Sequence, residues 1–480
     1  MSDNEVSILI AFLPEWLLLL GALTLFTLTL SNLPLRIAHR VSIATAAAVA
    51  LASVFSFGVE TVLFDGAYQV DAYSQWLKLV FALGYLACVL IADQLKDIRG
   101  DVRPEYYFLL STSILGFVLL ASSIDLITLV VALELSSFPL FILIAMRREA
   151  NGQRSQMESA VKYMMFGIGA TGVMLFGMAY LYGLTGTTSL PLLIENLQPV
   201  LHRPLAIAGL AMTMAAFFYK LAVFPFHFWT PDVYQGASNG TTAILASIPK
   251  VAAVLVLVRF ASAAEPGAPV LALVLAVLAI GSMCYGNLLA LVQSDFKRLL
   301  GFSAIAHAGY TLLGLVALSD RGFTAALYYT TGYLFMILAC FVVITRVSRD
   351  GANLPISALA GLYRRSPLLA WTLLVAVFSL AGIPPMVGFM GKFSLLSAAL
   401  EQGYLWLVLI AVVNTVIAVY YYLNVIRCAF FAEPEADTAD SVIILDWPIR
   451  VLCVALIAVI IGLGILPGSF LEMVSASLGF

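Results

Sequence analysis

The sequence predicts an all-α protein that crosses a membrane about fourteen times, with two of the crossing helices broken in the middle. Three observations carry this prediction. Hydrophobic residues make up 62% of the 480 residues and charged residues only 11%, whereas a soluble domain carries about 25% charged residues. The apolar residues fall into runs of about 20, the length that spans a bilayer. Lysine and arginine gather in alternate loops between the runs.

The candidate spans follow one another along the whole chain with short loops between them. Because the start, MSDNEVSILIAFLPEW, has no basic region and no small-residue cleavage site, the first run is predicted to be a retained span and not a signal peptide. The approximate limits are 8–30, 41–60, 72–93, 105–121, 124–146, 159–183, 205–229, 241–262, 270–292, 297–318, 323–345, 367–399, 402–431 and 446–470.

Positive charge is divided unequally between the two sets of loops. With the N-terminus outside, the inner loops hold sixteen of the 24 Lys and Arg residues, the outer loops three and the spans five. Basic loops stay in the cytoplasm, so both termini are expected to face the periplasm. The outer residues are Arg203, Arg259 and Arg321. The inner residues are Arg36, Arg40, Lys96, Arg99, Arg103, Arg147, Arg148, Arg154, Lys297, Arg298, Arg346, Arg349, Arg364, Arg365, Arg427 and Arg450.

Two spans are predicted to be discontinuous. The seventh contains YKLAVFPFHFWTP (219–231) and the twelfth SLAGIPPMVGFMGKF (379–393). Proline removes a helical hydrogen bond and clashes with the preceding turn. Broken backbone at membrane depth is tolerated where it is buried in protein or lines a wet cavity.

The two broken spans lie five apart, which predicts a pair of inverted five-helix repeats. The resulting organisation has N-terminal helices 1–3, a first repeat of helices 4–8, a second repeat of helices 9–13 and a C-terminal helix 14. The corresponding residues are 1–100, 101–262, 263–431 and 432–480.

Four ionisable residues lie in the middle of apolar runs: Glu134, Lys220, Lys250 and Lys392. Each costs roughly 2.5–3.5 kcal/mol on insertion scales, so their presence predicts proton or ion translocation. Lysine, unlike arginine, can release its proton, and burial and a nearby carboxylate act on its proton affinity in opposite directions. Glu134 is expected to pair with Lys220.

Structural roles are the alternative for the same residues. The lysines can bond carbonyls that the helix breaks set free, and Glu134 can bond Ser136 or Ser137. The chain would then be a scaffold held together by buried charge. The test of that alternative is whether charge-neutralising substitutions spare both assembly and pumping.

Other ionisable residues lie partly within the spans. His307, in the tenth span, is a candidate relay between Lys250 and Lys392, or a packed and hydrogen-bonded residue. Glu15 and Lys78 are expected to pair or to anchor at the outer side. Lys162, near the inner end of its span, is expected to snorkel.

No redox cofactor, metal or nucleotide is expected on this chain. The five cysteines form no CxxC pair, the four histidines show no bis-histidine pattern, and no Gly-rich phosphate loop follows a strand. Zinc and iron–sulfur sites need clustered thiolates or imidazoles.

Several segments resemble a known family. DFKRLLGFSAIAHAGY (295–310), KLAVFPFHFWTPDVYQGAS (220–238) and SLAGIPPMVGFMGKF (379–393) are similar to segments of the antiporter-like membrane subunits of respiratory complex I, the NADH:quinone oxidoreductase. KYMMFGIGATGVMLFGMAYLYGLTGTT (162–188) resembles the N-type subunit in particular. The resemblance covers about residues 70–430.

The resemblance implies fourteen helices with two inverted five-helix bundles, which translocate protons in response to distant quinone reduction. Glu134, Lys220, Lys250 and Lys392 match the family's ionisable residues on its fifth, seventh, eighth and twelfth helices. His307 lies in the tenth-helix motif.

The resemblance also implies partners and a location. The chain would be an obligate hetero-oligomer with other membrane subunits of complex I, surrounded by lipid, in the bacterial inner membrane, with no nucleic acid. FMN, iron–sulfur clusters and quinone are expected in partner subunits. Subunits of multisubunit sodium/proton antiporters, or of related membrane-bound hydrogenases, are the alternative. Co-purifying flavin and iron–sulfur chromophores would distinguish complex I from an antiporter.

Overall fold

The computed structural model describes residues 8–31, 35–93, 95–148, 155–264, 269–433 and 442–478. Arg154 and most of the acidic segment EPEADTAD (433–440), which the sequence predicts to be solvated, lie outside this part of the chain.

The regular secondary structure of the described chain consists of helices and one short β-hairpin. The elements are numbered in chain order. The first part contains α1 Leu13–Thr29, α2 Leu35–Phe55, β1 Thr61–Leu63, β2 Tyr68–Val70, α3 Ala72–Ile91, α4 Arg103–Ser122, α5 Leu126–Ala145, α6 Ser155–Thr185, α7 Leu190–Leu197, α8 Pro204–Thr213, α9 Ala215–Leu221, α10 Thr230–Gly236, α11 Asn239–Ala246 and α12 Ile248–Ala261. The second part contains α13 Pro269–Ala290, α14 Phe296–Val316, α15 Asp320–Val347, α16 Leu362–Arg365, α17 Pro367–Ala381, α18 Val387–Glu401, α19 Leu405–Phe431, α20 Trp447–Ile465 and α21 Pro467–Ser477. Short 3₁₀ turns cover Gly100–Val102, Gln198–Val200 and Ile356–Leu359.

The predicted fold class is confirmed. Twelve helical segments are long and apolar enough to cross a membrane, and two shorter apolar helices, α1 and α17, lie in the first and twelfth predicted spans. All fourteen predicted positions therefore hold an apolar helix. The segments formed by α11–α12, α14 and α15 are wholly enclosed by other helices, so the core lies around them.

One hairpin was not predicted. Within 41–60 the helix ends at Phe55, and β1 and β2 then pair antiparallel with Thr61 opposite Val70. Phe64, Asp65 and Gly66 all have positive φ, at 52°, 52° and 89°. Asp-Gly is the pair that favours a tight hairpin turn. The sequence therefore contains a hairpin signal, but the strands beside it have only three residues each.

Both predicted breaks are present and are built alike. Helix α9 ends at Ala222, with φ 67°, and α17 ends at Gly382, with φ 88°. A residue with left-handed backbone ends a helix by turning the chain away from the helix axis. Pro225 follows the first of these residues and Pro384 the second. A further interruption, at Ser247 between α11 and α12, was not predicted; it precedes Pro249.

The loops gather into two groups at opposite ends of the helices. The first, called the basic face here, contains the loops around residues 95–103, 147, 232–239, 293–297 and 348–359. Arg147 joins several of them by donating to the carbonyls of Gln235 at 2.7 Å and Gly351 at 3.1 Å, and to Asn353 Oδ1 at 2.9 Å.

The second group, called the hairpin face, contains β1, β2, the 122–126 loop and α21. Ile124 N donates to Ala67 O at 3.1 Å, and Trp76 Nε1 donates to Ser477 Oγ at 3.1 Å. Tyr68 on β2 donates to Glu15 Oε1 at 2.5 Å. The first and last described helices therefore both reach the hairpin face.

The expected pair of Glu15 and Lys78 is confirmed as a buried ion pair. Lys78 Nζ lies 2.7 Å from Glu15 Oε1, with side chains 0% and 1% exposed. The pair joins α1 to α3 next to the hairpin. Burying two charges is tolerable only when they neutralise each other at close range, so this contact fixes how the N-terminal helices pack.

Candidate functional site

Lys220 lies on the last turn of α9, immediately before the first break. Its side chain is buried, with Nζ 3.4 Å from Ser136 Oγ on α5 and 5.2 Å from the centroid of the Phe117 ring. Both neighbours are weak partners for an ammonium group. Among the described residues, Lys220 forms no ion pair within 4.0 Å.

Glu134 lies on α5, two residues before Ser136. Its Oε1 accepts a hydrogen bond of 2.9 Å from Thr171 Oγ1 on α6. The structure therefore places Glu134 and Lys220 around the same turn of α5 but does not join them directly. The predicted bonds from Ser136 and Ser137 are absent, because both hydroxyls donate to Leu133 O.

Lys250 lies on α12, one turn after the interruption at Ser247. Nζ donates to the carbonyl of Leu221 at 2.6 Å and lies 5.5 Å from the Trp229 ring centroid. Leu221 ends α9, and the last carbonyls of a helix have no intrahelical donor. Lys250 thus supplies, from a neighbouring helix, a donor that the first break requires.

Lys392 does the same for the second break, but from its own discontinuous helix. Nζ donates to Leu380 O at 3.0 Å and to Ala381 O at 3.1 Å. A Cβ at Gly382 would lie 3.1 Å from Lys392 Cδ and 3.3 Å from Nζ, so glycine gives the ammonium group access to the carbonyls. The structural alternative therefore describes the contacts of Lys250 and Lys392, but not those of Lys220.

His307 lies on α14 inside a cluster of tyrosines. Nδ1 forms a hydrogen bond of 2.5 Å with the hydroxyl of Tyr329, and Nε2 one of 3.0 Å with the hydroxyl of Tyr422. Tyr310, one turn further along α14, stacks beneath Lys392 Nζ, 4.8 Å from its ring centroid. His307 and Lys392 are thereby linked through one aromatic ring.

The five predicted residues form two groups. Glu134, Lys220 and Lys250 surround the first break, and His307 and Lys392 lie beside the second. Within the described chain, no direct hydrogen bond or ion pair joins the two groups. A proton passing between them therefore needs water or further side chains.

Sequence reasoning missed Asp232, which follows the first break on α10. Its Oδ2 accepts from Lys162 Nζ at 2.6 Å and its Oδ1 from Arg298 Nη1 at 2.7 Å. Burial raises the pKa of the Asp232 carboxyl, but the bonds from the two cations outweigh it and the pKa is lowered. Lys162, expected to snorkel, is 35% exposed and ion-paired with Asp232 and Glu158. The sequence signal that could have identified Asp232 is its position directly after Pro231, beside the predicted break.

Arg259 was expected in an outer loop and is instead buried in the last turn of α12. It donates to Ser123 O at 2.9 Å and to Ala121 O at 2.8 Å. The C-terminal end of α4 leaves these carbonyls without partners, and the guanidinium fork matches two acceptors at once. The charge therefore has a capping role that a count of loop residues cannot reveal.

Comparisons with known proteins agree on one family. Residues 123–418 match the family model described as NADH:quinone oxidoreductase/Mrp antiporter, transmembrane. A protein of Opitutus terrae, NADH-quinone oxidoreductase subunit N 2, is 57% identical over 98% of both chains. A Syntrophobacter fumaroxidans protein of the same name is 42% identical over 97% of this chain and 98% of its own.

Solved structures agree. A chain of respiratory complex I from Thermus thermophilus with bound aureothin superposes with a TM-score of 0.82 at 32% identity, over 96% of this chain and 99% of that one. A chain of the Mrp complex from Dietzia superposes with a TM-score of 0.84 at 22% identity, over 99% and 97%. The second likeness is one of fold alone.

Proposed function

Because the chain belongs to the NADH:quinone oxidoreductase/Mrp antiporter family, and within it to the N subunits of NADH-quinone oxidoreductase, we propose that it translocates protons through Glu134, Lys220, Lys250, His307 and Lys392. The chain is a multi-pass membrane subunit of an oxidoreductase assembly. Proton movement is driven by quinone reduction elsewhere in that assembly.

One observation carries this proposal: each broken helix presents its last carbonyls to a buried lysine. Leu221 O receives Lys250, and Leu380 O and Ala381 O receive Lys392. These neutral acceptors stabilise the ammonium form without a fixed anion. A lysine bound only by carbonyls can carry one proton and can release that proton when the carbonyls move away. A carboxylate in contact would instead keep the lysine protonated.

The first group works as the adjustable part. Glu134 and Lys220 are neighbours across Ser136 but are not in contact. A small shift of α5 against α9 brings the carboxylate closer and stabilises the Lys220 ammonium, or moves it away and favours release to Lys250. Lys250 touches the residue next to Lys220 through its bond to Leu221 O.

The second group receives the proton. His307 can accept at one ring nitrogen and donate from the other, since each faces a tyrosine hydroxyl. Lys392 lies across the Tyr310 ring, beside the second break. The order Glu134–Lys220, Lys250, His307, Lys392 then runs from one half of the protein to the other.

The redox groups belong, in this proposal, to other chains. The five cysteines are all free, and no group of three His, Cys, Asp or Glu side chains suited to a metal occurs in the part of the chain that the structure describes. FMN, iron–sulfur clusters and quinone would bind partner subunits, and this chain would be an obligate member of the hetero-oligomer, in contact with other membrane subunits and lipid.

We also place the protein in the bacterial inner membrane, with the hairpin face and both termini in the periplasm. The excess of Lys and Arg on the basic face supports this orientation. The division into 1–100, 101–262, 263–431 and 432–480 remains part of the proposal; the first break lies in the second unit and the second break in the third.

Replacing Lys220 with methionine in the whole complex tests the proposal. The substitution removes the ammonium group but keeps an unbranched stem, so packing at the end of α9 is largely retained. Proton pumping and quinone reduction should fall by roughly 10²-fold, the usual scale for loss of a proton-transfer group. NADH oxidation by an artificial acceptor, which needs no membrane step, should be unchanged.

Arg321→Met provides the control. It removes a cation that is 60% exposed and paired with Glu401, outside both breaks. This variant should pump normally, because exposed ion pairs contribute little. Normal pumping and quinone reduction by the Lys220 variant would exclude Lys220 from the mechanism.

The antiporter alternative is less well supported. Identity to the Mrp chain is 22% and to a chain of an archaeal sulfane sulfur reductase 23%, against 57% for a subunit N. Co-purification of flavin and iron–sulfur chromophores with the native chain would favour the complex I role, and their absence would favour an antiporter.

A further inference from the structure

The basic face opens into a small cavity where α3, α11 and α15 meet. Its volume is about 30 Å³, and its lining includes Asp93, Asp97, Asn239, Gly240 and Arg346. A space of this size with several polar partners holds a water molecule. The cavity therefore brings water to the ends of these helices.

The acidic wall of the cavity leads to α11. Asp97, 8% exposed, accepts a hydrogen bond of 2.8 Å from the backbone N of Asn239. Asn239 is itself buried, and its Oδ1 has no hydrogen-bond partner among the described residues. A buried amide oxygen without a protein partner is unfavourable unless water satisfies it.

The Tyr106 hydroxyl lies directly behind Gly240, on α4. A Cβ at Gly240 would lie 2.8 Å from this hydroxyl oxygen, so only glycine allows the approach. Tyr106 is fully buried, and its hydroxyl lies near the Thr241 side chain but forms no hydrogen bond of normal geometry with the described residues. Two successive unpartnered groups, Asn239 Oδ1 and Tyr106 OH, thus extend inward from the cavity.

Cys88 and Ser247 continue the line towards Lys250. Cys88 lies on α3 one turn before Ala92, which packs against Gly240 together with the Tyr106 hydroxyl, and its Sγ is 4.0 Å from Ser247 Oγ. Ser247 is the residue that interrupts α11–α12, and its carbonyl accepts from the backbone N of Lys250 at 3.1 Å. The line therefore ends one turn from a proposed proton-carrying residue.

We infer that protons enter from the basic face along this line, from Asp97 through water at Asn239 and Tyr106 and past Cys88 and Ser247, to the neutral amine of Lys250. At each step the O–H or S–H bond of the donor breaks as the bond to the next oxygen, or to the Cys88 sulfur, forms, and the last step forms an N–H bond on Nζ. The inference rests on the proposed function, since it assigns an entry route to one of its lysines. Tyr106 is a positioning residue in this route, because it orders water and touches none of the carriers.

Tyr106→Phe, in the whole complex reconstituted into liposomes, tests the route. The substitution removes one hydroxyl from a fully buried site. The rate of quinone-coupled proton uptake should fall roughly fivefold when the basic-face solution is alkaline and protons are scarce, and should recover when that solution is mildly acidic. The solvent deuterium isotope effect on uptake should increase.

Tyr107→Phe is the matched control. Tyr107 is the next residue on α4 and equally buried, but its hydroxyl donates to Ala92 O at 2.8 Å. Its loss removes a bond to the backbone of Ala92 at the cavity wall but leaves Asp97, Asn239 and the Tyr106 hydroxyl in place. This variant should keep the wild-type pH profile and isotope effect.

A second pair of variants keeps the test decisive if Tyr106→Phe does not assemble. Cys88→Val places an apolar group of similar size in the line, and Cys88→Ser restores a hydroxyl. We expect the valine variant to show the alkaline loss and the serine variant to pump like the wild type. Wild-type pH profiles for Tyr106→Phe and Cys88→Val would overturn the route.

Lys250→Ala separates the two proposals. If it pumps normally, the proposed function fails at this residue, whatever Tyr106 does. If it is inactive at every pH while the Tyr106 and Cys88 variants match the wild type, only the entry route fails.

Discussion

The two broken helices are closed by lysines that come from different places. At the first break, Lys250 reaches Leu221 O from α12, a separate helix. At the second, Lys392 on α18 reaches Leu380 O and Ala381 O of α17, which belong to the same discontinuous span. The first contact depends on how two helices pack, and the second on a turn of a few residues.

This difference teaches where a conformational change can act. Sliding α12 against α9 alters the Lys250 contact directly, but leaves the Lys392 contact intact as long as the turn at Gly382 is kept. In the proposed function, the first half would therefore respond to a distant event, and the second half would hold a proton at a fixed position.

The largest effect on proton pumping is expected when arginine replaces either lysine. Lys250→Arg and Lys392→Arg can still donate to the freed carbonyls, but arginine does not release its proton. If both lysines titrate, quinone-coupled pumping should fall by roughly 10²-fold in each variant. Proton uptake by the reconstituted complex measures this.

A different result would separate the two halves. Full pumping by Lys392→Arg, with the Lys250 variant inactive, would make Lys392 a helix cap and nothing more. Full pumping by both would support the scaffold alternative for these two positions.

The residues at the breaks provide a smaller test. Gly382→Ala places a side chain at φ 88°, against Lys392. Left-handed backbone costs an L-residue about 1–2 kcal/mol, so the melting temperature of the complex should fall and pumping should drop several-fold. Ala222 already has φ 67°, and Ala222→Gly should relieve that cost, with a change in unfolding free energy of at most about 1 kcal/mol.

Gly382→Ala adds backbone strain at the second break, and Ala222→Gly relieves backbone strain at the first. Their pumping rates can therefore be compared directly. A pumping loss in Ala222→Gly larger than in Gly382→Ala would show that rigidity at the first break, and not the position of Lys392, is what conduction requires.

The smallest effect on conduction is expected outside both breaks. Glu15→Gln removes the only carboxylate within 4.0 Å that the described residues offer to the buried Lys78 ammonium. Breaking a buried ion pair costs about 3–5 kcal/mol, so less complex should assemble. Pumping per assembled complex should stay near the wild-type value.

The double variant Glu15→Gln/Lys78→Met should restore assembly, since it removes both charges. Native gels quantify the assembled complex. A normal yield with Glu15→Gln alone would contradict the structural role of the pair.

The fold could be predicted from sequence because its signals are local. Apolar runs of sufficient length, and prolines within two of them, determine where helices lie and where they break. The interruption at Ser247 was missed, although Pro249 lies well inside the predicted span 241–262 and was the available local signal.

The site could be predicted only in part, since residue type is local but partners are not. The positions of Lys220, Lys250 and Lys392 followed from charge in apolar sequence. That Lys250 would bond Leu221 O, and that Glu134 would bond Thr171 and not Lys220, depends on how distant helices pack. The tyrosines around His307 carry no signal of their own, because a buried tyrosine is usually a packing residue.

Asp232 gives the segment after the first break a mechanical property. One carboxylate is bound by Lys162 on α6 and by Arg298 on α14, and these helices belong to the two predicted repeats. Rotation of α10 would therefore act on α6 and α14 together, through the two ion pairs of Asp232. Displacement begun in one repeat would reach the other through this carboxylate, alongside other bonds between the repeats such as the one from Arg147 to Gly351 O.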